Sequence, residues 1–139
     1  MTKAYVAARA RYRAKEVAEI QDTLVDMGYE TAYDWPSNND DIRKPYRNPK
    51  NRAHNLNAQE KMLKAAAETD IFIFLDDPGL RGAYVELGAF LHSCMDKPHK
   101  NRRAYIVGPE SHIRQHVFES PEYVIFQDSI EEVYEDLKK

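Results

Sequence analysis

The chain has 139 residues, 42% of them hydrophobic, a single cysteine and a formal net charge of −3. That length suits one domain that buries roughly two-thirds of the surface its unfolded form exposes, and a lone Cys94 excludes an internal disulfide framework. The mixed charges exclude a general nucleic-acid coat, which carries a domain-wide basic excess. With no charged-then-apolar leader and no long apolar span, neither membrane contact nor export is expected, and the natural setting is cytoplasmic.

Lys3 to Ala8 is a short apolar run that suits a buried first strand. Arg11 to Met27 carries Ala14, Val17, Ile20, Leu24 and Met27 at helical spacing, and Gly28 stops that helix. Tyr29 to Trp35 alternates as a second strand does. Pro36 to Arg52 is polar and proline-punctuated, long for a connection in a compact domain. Its Arg43, Lys44, Tyr46, Arg47, Lys50 and Arg52 either close over a substrate or form a solvated basic loop.

Asn55 or Asn57 can cap a helix running to about Thr69, with Met62, Leu63 and the alanines at 65 to 67 as a modest apolar face. Asp70 to Leu75 is the third strand. Arg81 to Met95 is a helix apolar nearly all round, so it packs against the sheet and against something else, which points to a homodimer or larger assembly. Arg103 to Val107 makes a fourth strand, Ser111 to Phe118 a short helix and Tyr123 to Phe126 a fifth strand. Ser129 to Leu137 is a closing helix begun by an Asp128 or Ser129 cap. The order βαβαβαβαβα implies one α/β domain over residues 1–139, a flavodoxin-like (Rossmann-like) three-layer sandwich around a five-stranded parallel sheet.

The richest stretch is Ile71 to Gly88, where an apolar strand runs into Asp76-Asp77, a glycine turn and a helix bearing Glu86. Ligands of open α/β sheets bind outside the carboxyl ends of the strands, where this segment delivers three acids. At 3.6 residues per turn, Gly82, Ala89, Phe90 and Ser93 lie within roughly 60° of Glu86 around the helix. The places three and four residues away hold Gly82, Ala83, Ala89 and Phe90, so local ion pairing does not explain this glutamate. Gly82 admits something close to the backbone, whereas Gly88, on the far side of the helix, reads as tight packing against the sheet. Asp76 and Asp77 read either as a turn and cap or as partners of Glu86. A carboxylate can attack a carbon of oxocarbenium character while a second acid assists the leaving group, and in retaining chemistry the two carboxyls lie about 5 Å apart.

Tyr5 on the first strand, the acid-and-glycine loop after the third, and Gly82-Ala83-Tyr84-Val85-Glu86-Leu87-Gly88 together resemble the nucleoside 2-deoxyribosyltransferase-like superfamily, which includes nucleoside 5′-monophosphate N-glycosidases. The similarity spans most of the chain. It implies a flavodoxin-like fold with Glu86 as the nucleophile that forms a glycosyl-enzyme intermediate. Tyr5 would orient that carboxylate, Asp76 or Asp77 would handle the sugar hydroxyl or the leaving base, and Gly79 would belong with Gly82 to the substrate loop. The chain departs from the pattern at Ala8-Arg9-Ala10-Arg11, where glycine and serine are usual, and at Leu80, where phosphate-binding relatives often show serine. The acid expected in the helix before the third strand has Glu60 as its nearest candidate, and Lys138-Lys139 ends the sequence without the asparagine-bearing tail of transferases.

Around this centre, Arg9, Arg11, Arg13 and Lys15 cluster where the first strand meets the first helix, and Arg9 is the preferred anchor for a 5′-phosphate. The alternative is that these residues balance Glu16, Glu19 and Asp22. Asp34 and Trp35 offer a carboxylate and a stacking face for a base, although Trp35 equally suits the core with its N–H bonded. Ser111 stands where the resemblance places a contact to a neighbouring subunit's substrate, and it also suits an ordinary helix cap. His112 and His116 lie one turn apart without the rest of a zinc pattern, so no metal and no cofactor are expected.

The expected activity is cleavage of the N-glycosidic bond of a small-molecule nucleoside, deoxynucleoside or 5′-monophosphate, with water or another base as acceptor. A TIR-like NAD glycohydrolase and a non-catalytic nucleotide-sensing module are the alternatives.

Overall fold

The structure, a computed structural model, describes residues 1–38, 49–77, 82–108 and 122–139. Among these run β1 (Lys3–Ala7), α1 (Ala10–Asp26), β2 (Glu30–Thr31), α2 (Arg52–Glu68), β3 (Ile71–Leu75), α3 (Gly82–Asp96), β4 (Arg103–Val107), β5 (Val124–Gln127) and α4 (Ile130–Leu137). Short 3-10 turns occupy Pro36–Asn38 and Pro49–Asn51. All strand pairings are parallel, in the order β2-β1-β3-β4-β5, which is the flavodoxin-like order.

The three central strands read as continuous apolar runs because helices cover both faces of the sheet. All five residues of β3 are buried, as are Ala4 to Ala7 of β1 and Ala104 to Val107 of β4. In-register partners share a face, so Tyr5, Phe72 and Ala104 point one way and Val6, Ile73 and Tyr105 the other. Tyr5 stacks on Phe72 at 5.7 Å between centroids, and Phe72 on Phe90 of α3 at 5.3 Å, so α3 covers the first face, with α2 packed beside it. Tyr105 donates its hydroxyl to Asp136, which puts α4 on the opposite face.

Three expectations change in detail. The second strand shrinks to Glu30–Thr31, because Trp35 turns inward beyond it and is only 1% exposed. Helix α2 begins at Arg52, behind a 3-10 turn, so Asn55 and Asn57 lie inside it and neither caps it. Gly88 is exposed, and a Cβ there would meet nothing within 4 Å, so tight packing against the sheet is not its role. Helix α3 buries Ala83, Glu86, Leu87, Phe90 and Cys94 but leaves Val85 and Met95 open, at 60% and 73% exposure. At the other end of the chain Ser129 caps α4 by accepting from the Glu132 amide. The expected helix from Ser111 to Phe118, with His112 and His116, lies outside the described residues, as does most of the basic loop.

Arg102, buried just before β4, ties the ends of α2 and α3 together. Its guanidinium donates to the Ala67 carbonyl at 2.7 Å, to the Thr69 carbonyl at 3.1 Å, to Ser93 Oγ at 3.0 Å and to the Lys97 carbonyl at 3.3 Å. Arg102→Met is expected to lower unfolding stability by about 3 kcal/mol, since charge-assisted bonds to otherwise orphaned helix carbonyls are lost together. Urea titration checks this. Because Arg102 lies at the amino edge of the sheet, kcat/KM of the folded fraction should not move.

Candidate active site

The chain leaves β1 into α1 on one face of the sheet and leaves β3 into α3 on the other, so a crevice opens between the carboxyl ends of these adjacent strands. Tyr5 and Glu86 meet beside it. The Tyr5 hydroxyl donates to Glu86 Oε2. Glu86 is 9% exposed, and burial pushes its carboxyl up to about 7 against the lowering pull of that hydrogen bond. Burial, and next the adjoining carboxylate, hold the Tyr5 hydroxyl well above the ordinary tyrosine range, so Tyr5 stays a proton donor wherever Glu86 titrates.

Glu86 lines a cavity of about 280 Å³ between the first turns of α2 and α3. Helix α2 contributes Asn55, Ala58, Gln59, Met62 and Leu63, and α3 contributes Gly82, Val85 and Glu86. Both helices aim their amino ends at this edge of the sheet, where the helix dipole favours negative charge. Gly82 is open, with nothing within 4 Å of an added Cβ, and borders the cavity.

The other acids are engaged elsewhere. Asp76 is 9% exposed at the end of β3, where its amide donates to the Val107 carbonyl at 2.8 Å and Oδ1 accepts from the Tyr84 hydroxyl at 3.3 Å. Its Oδ2 is buried without a hydrogen-bond partner among the described residues. Gly108 permits this packing, since a Cβ there would come within 3.2 Å of Asp76 Cβ. Asp77 Oδ1 lies 3.7 Å from Arg9 Nη1, and the Arg9 guanidinium also rests over Tyr12, 4.3 Å from the ring centroid. Arg9 precedes α1, whose amino end has no side-chain cap, so its backbone N–H groups face the crevice. Arg13 forks onto Glu16 at 2.8 and 2.9 Å, the balancing role open to that arginine.

Asp34 and Trp35 hold the chain after β2 in place. Asp34 accepts from Gln21 at 2.9 Å and from Ser37 Oγ at 2.6 Å. Burial opposes its ionisation, but these bonds outweigh it and lower the carboxyl below its usual range. Trp35 donates Nε1–H to the Val6 carbonyl at 2.7 Å from inside the core, so its ring offers no stacking face here. Gly79 and Ser111 lie outside the described residues.

The α2 wall of the cavity escaped the sequence reading. Asn55 suits a cap there as Asn57 does, and the signal for its place in the wall is the spacing of Asn55, Gln59 and Met62 along one helix face. Among the described residues no three His, Cys, Asp or Glu side chains cluster as metal ligands do. No described helix is long and apolar enough to cross a membrane.

No protein-family model and no curated protein sequence matches the chain. Among solved structures, a Clostridium botulinum CMP N-glycosidase, BcmB, superposes with a TM-score of 0.60 over 99% of this chain and 98% of its own, at 14% identity. The chain shares the fold of an N-glycosidase. The shared fold is the one implied by the resemblance carried by Tyr5 and the Gly82–Gly88 segment.

Proposed function

We propose that the chain cleaves the N-glycosidic bond of a nucleoside or its 5′-monophosphate through a covalent bond between the sugar and Glu86. The observation that carries this reading is a buried glutamate, held by a tyrosine hydroxyl, that lines a cavity at the switch point of the sheet. Among the described residues its burial has no structural reason, because the Tyr5 hydroxyl is its only hydrogen-bond partner there and none of their cations offsets the cost. The fold shared with a CMP N-glycosidase supports the same chemistry.

In this reading Tyr5 fixes Oε2, and the other oxygen attacks the anomeric carbon as the base departs. Arg9 and the uncapped amino end of α1 receive a 5′-phosphate, which would compete with Asp77 for the guanidinium. Asp76, with one buried oxygen that no described residue satisfies, holds a sugar hydroxyl. Water or a second base then takes the sugar from Glu86. Chromatography of released base from nucleosides and 5′-monophosphates, with and without a second free base, tests this beside Glu86→Gln. Base release that survives the substitution overturns the nucleophile assignment.

The open Met95 near the end of α3, a helix apolar nearly all round, favours assembly with a second copy. Light scattering is expected to give a mass of at least twice 16.2 kDa, and a monomer at working concentrations would refute this.

A further inference from the structure

Helix α2 borders a second pocket. Asn55, Gln59 and Leu63 edge the Glu86 cavity, whereas Lys61, Lys64 and Glu68 edge the second pocket, and at 3.6 residues per turn the two sets occupy opposite flanks of the helix. This pocket, of about 230 Å³, lies beside the edge of the sheet, where Lys3 opens β1 and Ala32 and Tyr33 follow β2. Lys3, Lys61 and Lys64 converge on it against one acid, Glu68. Fully buried Thr69 donates from Oγ1 to the Lys3 carbonyl at 3.0 Å, so the start of β1 is tied to the end of α2.

The fold itself gives these cations no use. Lys61 and Lys64, three residues apart on a helix, repel each other. Lys64 has Glu60 and Glu68 four residues to either side, yet it ion-pairs with neither. The negative end of the α2 dipole does not call for them either, because Arg102 already donates to the Ala67 and Thr69 carbonyls there. Charge gathered at a pocket without a local partner favours a ligand of opposite sign.

We propose that this pocket binds the phosphate group of a small phosphorylated molecule, with Lys3, Lys61 and Lys64 on its oxygens and Ala32, Ala65 and the Tyr33 ring against its carbon body. Ammonium groups suit a phosphate dianion as point charges, each with several donors to offer. The two alanines and the ring give the pocket an apolar side, which free phosphate leaves uncovered and an organic phosphate fills. The site lies apart from the Glu86 cavity and stands or falls without the glycosidase reading.

The test titrates phenyl phosphate and inorganic phosphate into the full chain at low ionic strength and pH 8, where both are mainly dianions, and follows backbone amides by NMR. Amides of Lys3, Ala32, Lys64 and Thr69 report this pocket, and those of Ala10 to Arg13 report the amino end of α1. Saturable shifts are expected in the first group. Phenyl phosphate should bind on the order of tenfold more tightly than inorganic phosphate, since its ring covers apolar surface. Replacing both exposed lysines, Lys61→Gln with Lys64→Gln, should weaken binding about tenfold or more, and Glu68→Gln should tighten it about threefold. The paired Lys61→Arg and Lys64→Arg variant, which keeps the charge, should still bind. Shifts confined to the α1 amides, no saturable shift with either probe, equal affinity for the two probes, or an affinity that the glutamine pair leaves unmoved would overturn the proposal.

Discussion

Glu86→Gln is expected to abolish base release and, at pH 8, to make the protein harder to unfold. The substitution keeps the shape of the side chain and an acceptor for the Tyr5 hydroxyl but removes the attacking carboxylate, so the rate should fall by on the order of 10³-fold or more. The gain in stability follows from the environment that makes Glu86 useful. Burial lifts its carboxyl from 4.5 to about 7. A group whose folded pKa lies above its unfolded one favours the fold fully below the unfolded value and loses that contribution as pH rises through the folded one. Between about pH 4.5 and pH 7 the protein therefore loses stability, and above pH 7 it carries a desolvated carboxylate at a cost of about 3 kcal/mol. Glutamine does not titrate, so the variant should approach wild type near pH 4 and exceed it by up to about that amount at pH 8. Denaturant midpoints at the two pH values decide it. A difference that ignores pH would show that Glu86 is not the group whose desolvation the fold bears.

The same burial explains what could be read from the sequence and what could not. Strands β1, β3 and β4 were legible because a sheet covered on both faces demands unbroken apolar runs, and their order followed from the alternation with helices. Glu86 stood out because residues three and four places away could not pair with it. Tyr5 did not stand out on physical grounds, since a strand tyrosine reads as core, and only resemblance pointed to it. Trp35 suits either a stacking face or the core, and its indole N–H, which reaches the Val6 carbonyl from a non-strand segment, selects the core. Gly88 has the sequence context of a packing glycine, yet it faces open space. Asn55 and Gln59 were hidden for a simpler reason. A cavity between two helices depends on their docking, and no local pattern encodes which polar side chains of α2 will look across at α3.

Tyr5→Phe is expected to reduce kcat/KM at pH 7 about 10²-fold, with the loss split between two causes that a pH profile separates. Phenylalanine keeps the buried ring and its stack on Phe72, so the sheet should remain intact. What disappears is the hydroxyl that donates to Glu86 Oε2 and pulls the carboxyl down from where burial alone would leave it. Without that hydrogen bond the acidic limb should move upward from about 7 by roughly one unit, so that at pH 7 about fivefold fewer molecules carry the carboxylate. That share of the loss is recovered at pH 9. The remaining twentyfold or so belongs to a carboxylate no longer held in one rotamer, and it should persist at pH 9. A displaced limb with full recovery would make the hydroxyl purely electrostatic in effect, and an unmoved limb with a lasting loss would make it purely a matter of position. An unchanged profile would mean that Tyr5 does not act through Glu86. Because Tyr5 itself titrates well above the ordinary tyrosine range, its own ionisation does not intrude on any of these outcomes.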